Sequence, residues 1–96
     1  MPAYVIAAVT EAHDDEALAE YRRRNSAAVE AHGGRFVVRG GAMEVLEGDW
    51  APLRIVVMEF DDVPAAKRWY ESEDYQAAIP IRQGASTTGI VIVEGV

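Results

Sequence analysis

The sequence predicts an α+β fold, in which four antiparallel strands form one sheet and the helices cover one of its faces. The main observation is that runs of β-branched and aromatic residues alternate with segments whose apolar residues recur every three or four positions. The resulting element order is β-α-β-β-α-β. A second observation is the length, because 96 residues suit one hydrophobic core and therefore one domain.

The first strand and the first helix have well-defined signals. Ala3–Thr10 is rich in β-branched and aromatic side chains, which favour a strand. Asp14 is placed to cap the helix that follows, and Gly33-Gly34 to end it. The three- and four-residue spacing predicts that one face of this helix carries Leu18, Tyr21, Asn25, Ala28, Val29 and His32.

Two glycines interrupt the middle of the chain. Arg35–Arg39 is the predicted second strand, Met43–Glu47 continues it after Gly40-Gly41, and Leu53–Phe60 is the third strand. A phosphate-binding loop is the alternative interpretation of the glycine pair, but no GxGxxG or GK[ST] motif is present and no helix follows. We therefore interpret the pair as a bulge or a sharp bend within a strand.

The last part of the chain supplies the second helical unit and the final strand. Asp62 caps a second helix, with Pro64 in its first turn, where a missing N–H is tolerated. Ser72 begins a further short helix, which Pro80 is expected to end or kink. Gly89–Val96 is the last strand. This order is that of a ferredoxin-like split βαβ fold, with a four-stranded antiparallel sheet and both helices on one face.

The predicted strands are apolar on both faces. If Val56, Met58 and Phe60 face the helices, then Ile55 and Val57 face away from them. A sheet with one face in water normally alternates apolar and polar residues, and an uncovered apolar face would form a large exposed patch. We therefore predict a homodimer formed through the sheet faces, with the two sheets ~10 Å apart.

Charge and composition exclude several classes of partner. The chain has 9 basic and 16 acidic residues and a net charge of −7, which argues against binding to nucleic acid. It has no cysteine, and its 2 histidines lack the spacing of metal ligands, so we expect neither a metal site nor another cofactor. No segment has the ~20 apolar residues of a membrane helix and no signal peptide is recognisable, so we expect no membrane partner and a cytoplasmic location.

Glu59 is the main candidate for a functional residue, since it lies in the apolar strand RIVVMEF on the face assigned to the dimer. A carboxylate there requires a partner. Arg39 shares the parity of Val37 and is expected to point to the same side from the neighbouring strand. The pair would either bind a small anionic ligand and poise Glu59 as a base, or form a structural ion pair that fixes the sheet register or the dimer. The structural interpretation is favoured, because structural networks also hold buried charges.

His32 and Trp50 are two further candidates. His32, in the last turn of the first helix, is a candidate general base, and stabilisation of the helix C-terminus is its alternative role. Trp50 lies in a turn, where its indole would either line a ligand pocket or cover the open edge of the core. Neither residue lies in a known catalytic or metal-binding motif.

Nearly the whole chain also resembles a known family. The segments RFVVRGGAMEVLEGDWAPLRIVVMEF, WYESEDYQAA and IVIVEGV resemble the DUF1330 family of small bacterial proteins. The resemblance implies a ferredoxin-like fold that pairs into a dimeric α/β barrel. Tyr21, Tyr75 and Arg82 are similar to polar positions that recur in the family, and this implies that Tyr75 and Arg82 are ligand-binding residues, with Tyr75 a catalytic candidate as well.

The function of this family is undefined, so the resemblance leaves two functions of different classes. Superfamily members of similar shape include cofactor-free monooxygenases and isomerase-like enzymes, which implies a cofactor-free enzyme acting on a small organic acid or an aromatic compound. The alternative is a non-catalytic dimer that binds a small ligand or is associated with stress. The fold does not decide between them. An enclosed cavity with Arg39, Glu59 or Tyr75 in its wall would favour the enzyme.

Overall fold

A computed structural model describes residues 1–96 and contains four strands and three helices. In chain order they are β1 (Ala3–Ala12), α1 (Asp15–Ala31), β2 (Arg35–Arg39), β3 (Arg54–Phe60), α2 (Val63–Glu71), α3 (Glu73–Ala85) and β4 (Ser86–Glu94). The sheet has the strand order β2-β3-β1-β4, and all neighbouring strands are antiparallel. The predicted βαββαβ arrangement is confirmed, with its second helical unit divided into α2 and α3. None of the helices is both long enough and apolar enough to cross a membrane.

Side chains cap the N-termini of all three helices, as the sequence predicts. The Asp14 carboxylate accepts a hydrogen bond from the Ala17 N–H at 3.0 Å, and the Asp62 carboxylate accepts one from the Ala65 N–H at 2.8 Å. Ser72 caps α3 in the same way. Each contact satisfies a backbone donor that the first turn of a helix leaves free, so these residues fix where the helices begin.

Helix α3 does not end at Pro80 but continues to Ala85. The proline removes one backbone hydrogen bond from the helix. Tyr75 and Ala78 before the proline and Arg82 after it are all buried, and these side chains hold the segment against the rest of the protein. Tertiary packing therefore outweighs the local cost of the proline.

The core lies between the helices and the inner face of the sheet. Val5 of β1 and both Met58 and Phe60 of β3 are at most 1% exposed. Trp69 of α2 and Tyr75 of α3 are fully buried, and their ring centroids lie 4.1 Å apart. The helices cover this one face of the sheet, as predicted.

The outer face of the sheet carries apolar side chains that no other part of the chain covers. Ile6 and Val57 are partly exposed, whereas Val91 and Val93 of β4 are 58% and 46% exposed. Val38 of β2 is exposed as well. The predicted division of the strands into two apolar faces is therefore confirmed.

An extra residue in β2 changes the direction of the side chains that follow it. Phe36 pairs with Met58 of β3, whereas Val38 pairs with Val57, so Val37 has no pairing partner of its own. Successive side chains of a strand point to opposite faces. A bulge of one residue therefore reverses the faces of all later residues in the strand.

Residues 40–53 form neither helix nor strand, so the predicted strand Met43–Glu47 is wrong. Gly40 has a φ of +70°, in the left-handed region that favours glycine, and this turns the chain away from the line of β2. The segment exposes several large apolar side chains, including Leu46 at 87% and Trp50 at 61%.

Candidate ligand-binding cavity

A cavity of about 200 Å³ lies between the inner face of the sheet and the helices α1 and α3. All four strands contribute to its floor, through Phe36 of β2, Val56 of β3, Ala7 of β1 and Thr88 of β4. Leu18 of α1 is part of the roof. Most of the lining is apolar, because every second strand residue points to this face. The small side chain of Ala7 in a central strand leaves space that a larger residue would fill.

Four arginine side chains line this otherwise mostly apolar cavity, namely Arg22, Arg39, Arg54 and Arg82. None of them takes part in a salt bridge, since the ion pairs of the protein involve other basic residues. Asp15 is the single carboxylate in the lining. The local charge is thus opposite in sign to the net charge of −7 of the whole chain, and it favours an anionic ligand.

Arg82 is the most buried of the four arginines. It is 8% exposed, and its Nε has no hydrogen-bond partner. The guanidinium carbon lies 5.7 Å from the centre of the Tyr21 ring. Buried charged groups are normally paired and hydrogen-bonded, so the free Nε marks a position where an acceptor atom of a ligand would fit.

Tyr21 connects the cavity to the core. Its hydroxyl lies 2.8 Å from the Tyr75 hydroxyl, and either group can donate the hydrogen bond. Burial raises the pKa of Tyr21 well above its ordinary value and the neighbouring Tyr75 raises it further, whereas the charge of Arg82 acts in the opposite direction. At neutral pH Tyr21 is therefore an uncharged hydrogen-bond donor and not a base.

Asn25 adds a fixed polar group to the roof. Its Oδ1 accepts a hydrogen bond from Trp69 Nε1 at 3.1 Å, and its Nδ2 lies 3.8 Å from the Met58 sulfur. The residue is 5% exposed. Because both ends of the amide are engaged with core residues, the orientation of Asn25 is set before any ligand binds.

The guanidinium of Arg54 packs directly on Gly40, in the space that a Cβ atom would occupy. The Gly40 N–H donates a hydrogen bond to the Ile55 carbonyl at 2.9 Å, which fixes the backbone at this contact. Burial lowers the pKa of Arg54, and the charges of Arg22 and Arg39 lower it further. An arginine remains charged despite such a shift, so the positive charges of Arg22 and Arg39 act on a charged Arg54 in the wall of the cavity.

The sequence from residue 2 to residue 96 matches the model of a family described as a domain of unknown function, DUF1330. The chain belongs to the DUF1330 family. No protein with a curated description matches the sequence. Membership of DUF1330 therefore brings no established activity with it.

Solved structures share the fold of this DUF1330 chain at low sequence identity. RPA0582, a protein of unknown function from Rhodopseudomonas palustris, is 22% identical with a TM-score of 0.80, and the match covers 99% of this chain and 82% of RPA0582. A dimeric ferredoxin-like protein of unknown function from Jannaschia sp. CCS1 is 13% identical, with a TM-score of 0.76 and coverage of 99% and 100%. SnoaB, a cofactor-independent oxygenase from Streptomyces nogalater, is 13% identical, with a TM-score of 0.66 and coverage of 99% and 93%. These similarities show the ferredoxin-like fold.

The DUF1330 chain does not bring Arg39 and Glu59 together, so the predicted pair is wrong. Arg39 points to the helix side of the sheet, where its guanidinium lies 4.1 Å from the centre of the Phe36 ring and donates a hydrogen bond to the Ser26 hydroxyl. Glu59 points to the outer face. The extra residue Val37 explains the error, because it reverses the parity from which the position of Arg39 was predicted.

Glu59 belongs instead to a polar cluster on the outer face. It forms an ion pair with Arg35 and accepts a hydrogen bond from the Tyr4 hydroxyl at 3.2 Å. That hydrogen bond to the carboxylate raises the pKa of Tyr4. The Glu59 side chain is 16% exposed and the Arg35 side chain is 73% exposed. A carboxylate in an apolar strand requires a charged partner, and Glu59 has one. The partner is Arg35 and not the predicted Arg39.

The other predicted residues of the DUF1330 site are spread over the molecule. Arg82 lines the cavity together with Arg39. Tyr75 is not in the cavity wall, but its hydroxyl is hydrogen-bonded to Tyr21, which is. His32 follows the last residue of α1, and its Nε2 lies 3.4 Å from an Asp74 carboxylate oxygen at the surface.

Trp50 is exposed within residues 40–53 and does not line the cavity. Its indole neither closes the pocket nor covers the edge of the core in this structure. No group of three or more His, Asp or Glu side chains is arranged to hold a metal ion.

Two arginines of the cavity are absent from the sequence-based predictions, although the sequence carries a signal for each. Arg54 has the same parity in β3 as Val56 and Met58, so period-two alternation places it on the inner face. Arg22 follows Leu18 by four residues, which places both on one side of α1.

Proposed function

We propose that the protein binds a small organic acid in this cavity, with the carboxylate of the ligand at Arg82 and its apolar part against the sheet. The observation that carries the proposal is Arg82, which is 8% exposed in a mostly apolar wall and has no partner for Nε. A ligand carboxylate supplies both the opposite charge and the hydrogen-bond acceptor that this guanidinium lacks.

The size of the cavity limits the ligand to a single ring or a short chain. Its volume of about 200 Å³ corresponds to roughly seven water molecules at ~30 Å³ each. Sites for drug-sized molecules have volumes of about 300–1,000 Å³. A monocyclic aromatic acid or a short aliphatic acid therefore suits the space.

A cofactor-free enzyme is the second candidate, and it is favoured by two donors that lie next to each other in the cavity wall. The Tyr21 hydroxyl and the Arg82 guanidinium are both hydrogen-bond donors, so both can stabilise negative charge that develops on a ligand oxygen. Asp15, the carboxylate in the lining, is the residue that can accept a proton from a carbon next to a carbonyl group. The electron pair then moves to the carbonyl oxygen, and the resulting enolate can isomerise or react with oxygen. SnoaB, a cofactor-independent oxygenase, has the same fold.

We also propose that the chain forms a homodimer through the outer face of its sheet. Val57, Val91 and Val93 leave an apolar surface there, and a second copy would bury it against an identical surface. The structurally similar protein from Jannaschia is described as dimeric. In that arrangement the ligand cavity lies on the opposite side of the sheet from the dimer contact.

Calorimetric titration and thermal melting with benzoate, hexanoate and the uncharged benzamide test the binding proposal. We expect the two acids to bind and benzamide not to bind. At a ligand concentration 100 times Kd the stability gain is ~2.7 kcal/mol, which raises the melting temperature of a domain of this size by roughly 10 °C or more. Arg82→Gln should abolish the gain.

Arg68→Gln is the matched control, because Arg68 is an exposed arginine of α2 that forms no salt bridge. It should bind the acids as the unmodified protein does. Binding of benzamide as tightly as benzoate, or equal binding by Arg82→Gln, would contradict a carboxylate at Arg82.

Deuterium incorporation separates the enzyme from a non-catalytic binding protein. With 2-oxobutanoate in D₂O, an enzyme of the proposed kind accelerates exchange at the carbon next to the keto group, and NMR follows that exchange without knowledge of the natural product. Asp15→Asn should abolish the acceleration and retain binding, because Arg82 is unchanged. Binding of the acid without accelerated exchange would support the non-catalytic function.

A further inference from the structure

The floor of the cavity runs across the whole sheet. It includes residues of β2 and β4, which are the two edge strands in the order β2-β3-β1-β4. Three strand spacings of ~4.8 Å separate the two edges, about 14 Å in all. A ligand that lies along this floor therefore has two ends in different surroundings.

The arginines are divided between these two ends. Arg82 comes from α3, the helix that contacts β4, and is buried. Arg39 and Arg54 come from β2 and β3, and together with Arg22 they also line an open shelf beside the mouth of the cavity. Arg82 is not part of this shelf. One guanidinium thus lies at the inner end and three lie at the mouth.

The three arginines at the mouth are not neutralised by the protein. Glu20 forms ion pairs with Arg23 and Arg24, whereas Arg22, Arg39 and Arg54 have no acidic partner. A single carboxylate bound at Arg82 would leave this second cluster without a counter-charge.

The mouth is also held in place before a ligand arrives. The guanidinium of Arg54 rests on Gly40, and that of Arg39 is fixed by the Phe36 ring and the Ser26 hydroxyl. These side chains are already ordered, so ligand binding loses little of their conformational entropy. Guanidinium groups placed in this way suit the planar, two-oxygen geometry of a carboxylate.

We infer that the natural ligand is a dicarboxylic acid, with one carboxylate at Arg82, the other at the cluster of Arg22, Arg39 and Arg54, and an apolar ring or short chain between them. This inference rests on the proposed function, since it assumes an organic acid bound at Arg82. It adds a second carboxylate to the proposed ligand, and so it specifies the acid as a dicarboxylic one. The apolar middle of the ligand lies over Val56 and Ala7, where the floor has no polar group.

Three probes of the same shape test the inference by calorimetry at constant ionic strength. Benzene-1,4-dicarboxylate has both charges, and 4-methylbenzoate replaces one carboxylate by a methyl group. We expect the dicarboxylate to bind at least tenfold more tightly, because hydrogen bonds to charged groups contribute about this factor. 4-Methylphenyl phosphate carries all of its charge on a single phosphate and has no carboxylate for Arg82, so it should bind less tightly than the dicarboxylate.

The double variant Arg39→Gln/Arg54→Gln should bring the affinity for the dicarboxylate to within about twofold of that for 4-methylbenzoate. Its affinity for 4-methylbenzoate should change by less than twofold, since that acid uses Arg82. The change Arg68→Gln controls for the loss of a positive charge elsewhere on the protein. Circular dichroism establishes that each variant is folded.

Other binding results would contradict either the dicarboxylate alone or the proposed function as well. Equal affinity for the two carboxylic acids, with both lost in Arg82→Gln, overturns the dicarboxylate and leaves the proposed function intact. Tighter binding of the aryl phosphate than of the dicarboxylate also overturns it, and assigns the mouth to a phosphate group. If none of the acids binds, both the inference and the proposed function are wrong.

Discussion

The hydroxyl of Tyr21 lies 2.8 Å from the hydroxyl of Tyr75, and this contact joins the wall of the cavity to the aromatic core. Tyr75 is fully buried and packs against Trp69, while the guanidinium carbon of Arg82 lies 5.7 Å from the centre of the Tyr21 ring. Tyr21 therefore contacts both the aromatic core and the most buried charge of the cavity.

Tyr21 should make the protein less stable at high pH. Its pKa in the folded state lies above the unfolded value near 10, so the folded protein holds a proton that the unfolded chain releases. This contribution to stability is complete below a pH of about 10 and is lost as the pH rises further, by up to ~1.4 kcal/mol per pH unit. Urea unfolding at pH 9 and pH 11 should show the loss, and Tyr21→Phe should reduce it.

Tyr70→Phe is the control for this measurement, because Tyr70 is 39% exposed. It should leave the pH dependence of stability close to that of the unmodified protein. The same dependence in Tyr21→Phe and in the unmodified protein would contradict the burial of the Tyr21 hydroxyl.

A charge on the outer sheet face should break the homodimer. Val57→Asp places an unpaired carboxylate in the apolar layer between the two sheets, where it lacks both water and a counter-charge. Sedimentation at micromolar concentration should show a dimer for the unmodified protein and a monomer for the variant. Val45→Asp is the control, since Val45 is exposed within residues 40–53 and should keep the dimer. A monomeric unmodified protein would reject the proposed interface.

Glu59 and Arg39 should differ in their effect on ligand binding, because they lie on opposite faces of the sheet. Glu59→Gln removes the charge that pairs with Arg35, and since the Arg35 side chain is 73% exposed, we expect a loss of ~1 kcal/mol or less. Its affinity for benzene-1,4-dicarboxylate should be unchanged. Arg39→Gln should weaken that binding and lower the melting temperature by no more than a few degrees. Weaker binding by Glu59→Gln would show that the outer face contributes to the site.

Gly40 should tolerate alanine much less well than Gly41 does. Gly40→Ala places a Cβ where the Arg54 guanidinium lies, at a φ of +70° that costs an alanine about 1–2 kcal/mol. We expect both lower stability and weaker binding of the dicarboxylate, since Arg54 must move. Nothing lies within 4 Å of a Cβ at Gly41, so Gly41→Ala should change stability by less than ~0.5 kcal/mol. Thermal melts and titrations of the two variants test this difference.

The fold follows from local patterns that the sequence displays directly. Asp14, Asp62 and Ser72 mark the helix starts, and the alternation in β1 and β3 identifies both faces of the sheet. The strand predicted at Met43–Glu47 is wrong, because β propensity does not reveal that Gly40 leaves the sheet with a positive φ. Glycine adopts strand and left-handed conformations with similar ease, so the sequence alone does not show which of the two Gly40 takes.

The site residues are harder to predict from the sequence than the fold is, because a bulge in β2 changes the direction of one of their side chains. The sequence predicts Arg82 and Arg39 as site residues, and both line the cavity, but the prediction for Arg39 assumes that it lies beside Glu59. A bulge has no distinct sequence signal in RFVVR, and one unpaired residue is enough to reverse a parity argument. Arg54 is absent from the predicted site, although β3 is regular and period-two alternation alone places Arg54 on the same face as Val56.

The unpaired Val37 also bears on how this chain is compared with its relatives. A relative that lacks one residue at this point would keep the arginine of the RGG segment in its sequence but turn its side chain to the other face of the sheet. Its cavity would lose a positive charge, and its outer face would gain one. A single gap at this position in an alignment would therefore mark a cavity of different charge, even where every neighbouring residue is the same.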